Sequence, residues 1–153
     1  MIRILMVCLG NICRSPLAEG ILRDKFENSG ILAQVDSAGT GDYHVGEFAD
    51  QRSVDVAKKN NVDISQHSAR QFKRGDFAKY DLIYAMDTSN FKNIMELARN
   101  NEESSKVKLL MNEVLPGENM NVPDPYFGGR NGFDNVFGMI DQACDKIIDR
   151  LNK

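Results

Sequence analysis

Apolar positions in this chain fall in short continuous runs that alternate with longer amphipathic stretches. Ile2-Arg3-Ile4-Leu5-Met6-Val7 is nearly all apolar, the pattern of a strand buried on both faces of a parallel sheet. Gly10 and Asn11 break that run. Leu17, Ala18, Ile21, Leu22 and Phe26 then recur with mostly helical spacing. Ser15 at the cap, Pro16 at the first helical position and Glu19 in the first turn form the expected helix start. Asn28-Ser29-Gly30 forms the expected stop.

Ala33–Ala38 predicts a second strand, closed by Gly39-Thr40-Gly41. Asp50–Asn60 predicts a helix with Val54 and Ala57 inward, and Asp76–Lys79 a single short turn. Asp81–Met86 predicts the third strand, and Thr88 or Ser89 caps a helix reaching Arg99. Lys106–Met111 predicts the fourth strand. Asn112–Arg130 is rich in Pro, Gly and Asn, and long irregular segments of this kind are often functional. Phe133–Leu151 closes the chain as a helix with Ile140, Ala143, Cys144, Ile147, Ile148 and Leu151 on one face. Strands alternating with helices predict an α/β fold with right-handed crossovers and a doubly wound parallel sheet. Ligands in such sheets bind at the carboxyl ends of strands, near the point where strand order reverses. The loop after the first strand is therefore the first place to seek chemistry.

Composition narrows the classes. The 153 residues are 42% hydrophobic and 27% charged, with a net charge of −3. This is the balance of an ordinary globular domain and carries no basic surplus for nucleic acid. The N-terminal apolar stretch is too short to span a membrane and lacks a cleavage pattern. Three cysteines do not make a disulfide scaffold and fit a reduced, cytoplasmic setting. No long exposed apolar stretch stands out, so a monomer is expected.

The loop after the first strand reads Cys8-Leu9-Gly10-Asn11-Ile12-Cys13-Arg14-Ser15-Pro16. Successive N–H groups before a helix can curl into an anion nest, and the helix dipole adds positive potential. Gly10 and Asn11 suit the curl because both tolerate positive φ. Arg14 adds a planar fork for two phosphate oxygens. A cysteine at the mouth of such a loop is expected as thiolate, placed for in-line attack on a bound phosphorus. Ser15 can donate to that sulfur. The segment lacks the Gly-Lys-Ser/Thr ending of a nucleotide-binding loop. Asp124, held between Pro123 and Pro125, reads equally well as a general acid for the leaving group or as a surface turn.

These residues resemble the low-molecular-weight protein tyrosine phosphatases. The likeness spans essentially the whole chain, through Cys8–Pro16, Asp36-Ser37-Ala38-Gly39, His67-Ser68-Ala69-Arg70-Gln71, Ala85-Met86-Asp87-Thr88-Ser89-Asn90 and Asp124-Pro125-Tyr126. It implies one phosphatase domain over residues 1–153, built as a four-stranded parallel sheet in a flavodoxin-like three-layer sandwich. It assigns Cys8 as nucleophile, Arg14 as phosphate binder and Asp124 as general acid and base. Leu9, Gly10, Asn11, Ile12, Cys13, Arg14 and Ser15 are then the phosphate-binding loop. Asn11, Ser15, Ser37 and His67 support its shape.

The resemblance places Leu9, Ile12, Tyr43, Tyr126 and Phe127 around the mouth, where an aryl ring stacks and phosphoserine falls short. It implies a phosphotyrosine-containing protein or peptide as substrate, inhibition by phosphate and other oxyanions, and no cofactor or metal. Cys13 is either a small buried filler or, as the family suggests, a thiol that traps oxidised Cys8 as a disulfide. Cys144 is expected in the core and His44 at the surface.

Three alternatives compete. Relatives acting on phosphoarginine look to carry Thr where this chain has Ile12. Arsenate reductases on the same fold need further redox cysteines after the third strand, and positions 80–100 contain none. A non-catalytic phosphotyrosine-binding module would dispense with the nucleophile or the acid, and this chain has both Cys8 and Asp124.

Overall fold

A computed structural model describes residues 1–127, 129 and 131–152, Phe127 by its backbone alone. The chain runs β1 (Ile2–Cys8), α1 (Arg14–Ser29), β2 (Ala33–Gly39), α2 (Gln51–Lys59), α3 (Asp76–Lys79), β3 (Leu82–Ala85), α4 (Thr88–Leu97), α5 (Asn101–Ser105), β4 (Val107–Leu109) and α6 (Gly132–Leu151). Short 3₁₀ turns occupy Leu110–Glu113 and Pro125–Phe127. The four strands form one parallel sheet in the order β2-β1-β3-β4.

β1 is central because its side chains serve both faces. Ile4, Met6 and Cys8 point into a core shared with Leu17, Ile21 and Leu22 of α1 and Ile140, Cys144 and Ile147 of α6. Leu5 and Val7 point the other way, against Ile83, Ala85, Phe72, Phe77 and Ile94. Two buried faces explain the continuous apolar run from Ile4 to Cys8 of this strand. The chain leaves β1 for β2 on one side and takes up β3 on the other, so strand order reverses beside β1. The crevice at its carboxyl end is where such sheets bind ligands.

Several expected boundaries shift. α1 begins at Arg14 with Cys13 in the cap position and no side-chain cap. Ser15 is thus inside the first turn rather than the cap, and Pro16 follows inside the helix. Glu19 lies beyond the first turn. α2 buries Val56 and Ala57, with Val54 only partly covered. The cap of α4 is Asp87, through Asn90 N, not Thr88 or Ser89. That helix stops at Leu97 because Ala98 turns extended, and a separate helix, α5, follows with Asn100 as its cap. β4 covers only Val107–Leu109 of the expected Lys106–Met111, since the chain tightens into a 3₁₀ turn. Among the described residues, no helix is long and apolar enough to cross a membrane.

Candidate active site

Cys8 ends β1 and is almost fully buried, at 3% exposure. Its Sγ accepts the N–H of Asn11 at 3.2 Å and lies 3.0 Å from Ser15 Oγ. The chain closes this tight curl by placing Asn11 in the left-handed region, φ 59°, a conformation Asn tolerates better than most residues. Asn11 is wholly buried, and its side chain is fully used. Its Nδ2 donates to Ser15 Oγ (2.8 Å) and Ser37 Oγ (3.0 Å), and its Oδ1 accepts from Arg70 N (2.9 Å). Ser37 passes its own proton to Glu19 Oε1 at 2.7 Å. Because Ser15 Oγ accepts from the Asn11 amide, its own proton is left for one of two acceptors, the Cys8 sulfur at 3.0 Å or the more distant Ala38 O at 3.4 Å.

His67 Nε2 lies 2.7 Å from Asn11 O. A carbonyl only accepts, so Nε2 carries the proton. Thr40 N donates to Cys8 O (2.8 Å) and Gly41 N to Leu9 O (2.9 Å). Just ahead of them Gly39 presses against the loop. A Cβ at Gly39 would stand 2.6 Å from Leu9 O and 3.1 Å from Asn11 N.

Arg14 is the first residue of α1 and is buried. Both protons of Nη1 are committed, to Asp87 Oδ2 at 2.7 Å and Val122 O at 2.9 Å. This leaves the Nε and Nη2 edge of the fork for an oxyanion. Asp87 thus serves twice, since its Oδ1 caps α4 through Asn90 N at 2.7 Å. Sequence reasoning gave Asp87 no role, because the adjoining Thr88 and Ser89 offered equally good caps. Val122 N donates to Met86 O at 2.8 Å, which ties the irregular segment to the end of β3 just ahead of Asp124.

Asp124 is exposed, and its Oδ1 accepts the N–H of Tyr126 at 3.0 Å. Asp124 shares a cavity of ≈ 130 Å³ with Leu9, Gly10, Ile12, Cys13, Arg14, Tyr43, His44 and Tyr126. Leu9, Ile12, Tyr43 and Tyr126, four of the five residues expected around the mouth, thus line one cavity. The Phe127 side chain lies outside the described residues, as do Gly128 and Arg130. His44, expected as an ordinary surface residue, lines this cavity, and its Nδ1 meets Glu47 Oε2 at 2.8 Å. The His44-x-x-Glu47 spacing was the one available signal.

Cys13 is buried in the same lining. Burial, followed by the negative charges of Asp50 and Cys8, pushes its thiol up to about 12. Cys144 is fully buried in the core between α1 and α6, and burial raises its thiol strongly.

The model of the family described as low molecular weight phosphotyrosine protein phosphatase matches residues 3–153. A low molecular weight phosphotyrosine protein phosphatase from Schizosaccharomyces pombe is 42% identical over 139 residues, covering 89% of this chain and 88% of that one. The crystal structure of a protein tyrosine phosphatase from Entamoeba histolytica, with Hepes in its active site, superposes with a TM-score of 0.92. It is 33% identical, with 99% of this chain and 97% of that one covered. Wzb of Vibrio vulnificus, solved in complex with benzylphosphonate, gives a TM-score of 0.86 at 30% identity over 97% of this chain and 98% of its own. A match of this extent, on a chain whose first loop wraps a buried sulfur beside a buried arginine, shows that the protein belongs to the low molecular weight phosphotyrosine protein phosphatase family.

Proposed function

We propose that this protein is a protein-tyrosine phosphatase that works through a cysteinyl-phosphate on Cys8. The observation that carries the reading is the convergence of the Asn11 N–H and the Ser15 hydroxyl on the Cys8 sulfur, at a loop whose cavity also holds Arg14 and Asp124. In the first step the Cys8 thiolate bonds to phosphorus. The bond from phosphorus to the phenolic oxygen breaks, and the Asp124 carboxyl proton passes to the departing phenolate. The Nε and Nη2 edge of Arg14 and the loop amides hold the equatorial oxygens, fixed in place before charge develops. In the second step Asp124, now ionised, takes a proton from water, and the water oxygen bonds to phosphorus. The sulfur leaves as thiolate, assisted by the Ser15 hydroxyl.

Asn11, Ser37 and His67 act as supports for the loop. Leu9, Ile12, Tyr43 and Tyr126 frame a slot suited to an aryl ring, which supports phosphotyrosine in a protein or peptide over shorter phosphoesters. The branched apolar Ile12 in that wall favours tyrosine over phosphoarginine. Phosphate and similar oxyanions inhibit by occupying the loop. Residues 1–153 act as one domain and one copy suffices, since every group invoked lies on a single chain. Three buried free thiols support a reducing, cytoplasmic setting. Cys13 is the candidate to trap oxidised Cys8, but a thiol pushed up to about 12 attacks slowly near neutral pH.

The test is turnover by Asp124→Ala on aryl phosphates of graded leaving groups, with Cys8→Ser as control. Asp124→Ala loses about 10²–10⁴-fold on poor leaving groups and much less on good ones. Cys8→Ser abolishes turnover but still binds oxyanion. Equal losses across leaving groups, or turnover in Cys8→Ser, refute the assignment.

A further inference from the structure

The mechanism above leaves the first turn of α2 without a task, yet that turn touches both halves of the site. Asp50 caps the helix by accepting Arg52 N at 2.9 Å. Its own N–H donates to Ile12 O at 2.8 Å, inside the phosphate loop. Arg52 then closes on the same carboxylate, Nε to Oδ1 at 3.1 Å and Nη2 to Oδ2 at 3.0 Å. Burial pushes the Asp50 carboxyl up, but the Arg52 hydrogen bonds and charge, helped by Tyr126, hold it below the ordinary carboxylate range. Both partners are charged at neutral pH.

A fork–carboxylate pair two residues apart on a surface is worth little alone. What sets this one apart is that its guanidinium lies over two aromatic rings from elsewhere in the chain. Cζ of Arg52 stands 4.3 Å from the ring centroid of Tyr126 and 4.7 Å from that of Phe133. Tyr126 belongs to the proline-flanked turn of Asp124, whose carboxylate holds the Tyr126 N–H. Phe133 sits in the first turn of α6. That turn of α6 also meets the acid segment at Gly132, where a Cβ would stand 2.8 Å from Pro125 O. Val122 fastens this segment ahead of Asp124, to Met86 and to Arg14, and the Arg52 contact takes hold of it on the other side, at Tyr126.

We propose that Arg52 is a positioning residue for the general acid: in contact with the rings of both Tyr126 and Phe133 and clamped on Asp50, it sets the Asp124 turn at a fixed distance from the phosphate loop that Asp50 also holds. The proposal rests on Asp124 being the acid. Arg52 touches no reacting atom and acts only through the turn it pins. Removing it frees Asp124 from its reach toward the leaving oxygen and leaves the Cys8 loop, which has its own hydrogen bonds, intact. A planar, always charged group meets these demands, and a lysine would not.

The experiment is a double-mutant cycle of Arg52→Met with Asp124→Ala, read as kcat on phenyl phosphate and on 4-nitrophenyl phosphate. Arg52→Met keeps much of the stem's packing. It is expected to lose about 10-fold on phenyl phosphate, whose leaving group needs the proton, and under about 3-fold on 4-nitrophenyl phosphate. In the Asp124→Ala background the same substitution is expected to change either rate by less than about 2-fold, because the group it positions is gone. Phe133→Leu removes one of the two cation–ring contacts and is expected to give the same substrate dependence at about 3-fold. Equal losses on the two substrates, or an undiminished loss in the Asp124→Ala background, overturn the brace. If Asp124→Ala alone shows no leaving-group dependence, the acid assignment falls first, a result the single variant reveals without Arg52.

Discussion

Replacing Gly39 by alanine tests whether the shape of the Cys8 loop is set by its neighbour strand. A Cβ at this position would stand 2.6 Å from Leu9 O, 3.1 Å from Asn11 N and 3.1 Å from Gly10 C. All three are backbone atoms, so no rotamer change relieves the contact. An ordinary separation requires the loop to retreat by about 0.6–0.8 Å, and overpacking of this kind typically costs about 1–3 kcal/mol. The retreat also stretches the two bonds that fasten the loop to the chain after β2, Thr40 N to Cys8 O at 2.8 Å and Gly41 N to Leu9 O at 2.9 Å. Misplacement of about 1 Å at a reacting centre can cost about 10²-fold. Gly39→Ala is therefore expected to lose about 10–100-fold in kcat/KM on an aryl phosphate, with a urea midpoint lowered to match the overpacking cost. Leaving-group dependence should be unchanged, because the acid is not displaced. An alanine variant with wild-type turnover would refute the claim that this contact fixes the loop.

Other perturbations probe the remaining contacts. Asp87→Ala leaves the buried Arg14 charge without its carboxylate and removes the α4 cap. It should cost about 3–5 kcal/mol in urea unfolding and about 10-fold or more in kcat/KM, and unchanged values would mean the pair is incidental. Iodoacetamide near neutral pH should label Cys8 and spare Cys13, whose thiol burial holds at about 12, and inorganic phosphate should protect Cys8. Peptide mapping by mass spectrometry that finds Cys13 modified first would contradict this. His67→Leu orphans Asn11 O and should cost about 1–2 kcal/mol and several-fold in kcat. His67→Gln restores a donor and should recover part of both, and identical behaviour of the two variants would remove the donor role.

The central strands were legible because a strand buried on both faces carries a continuous apolar run, as Ile4–Cys8 of β1 and Leu82–Ala85 of β3 do, whereas the edge strand β2 mixes Gln34, Asp36 and Ser37 into its run and was marked mainly by the Gly39-Thr40-Gly41 that closes it. Helix boundaries were less so, and each miss has a chemical cause. Ser15-Pro16 has the form of a cap and first residue, but the Ser15 hydroxyl is taken by Cys8, so the helix starts earlier, without a side-chain cap. Asp87, Thr88 and Ser89 are three capping residues in a row, and local pattern does not choose among them. The choice falls to Asp87, which also serves Arg14.

Site residues divide along the same line. Cys8, Asn11, Arg14 and Ser15 lie within one loop, where residue type and spacing carry the chemistry. Asp87 and Arg70 reach that loop only because the sheet brings together segments far apart in the chain. His44 is carried to the cavity by a loop pinned through Gly46 N to Ala69 O at 2.8 Å and Ala69 N to Glu47 O at 2.8 Å. Those two bonds involve backbone alone, so no side-chain pattern could have announced them. The composition of the Cys8 loop is therefore readable from its own residues, whereas the groups that hold it follow from topology. Substitutions at those distant supports should spare the fold's apolar pattern while altering the angle of attack.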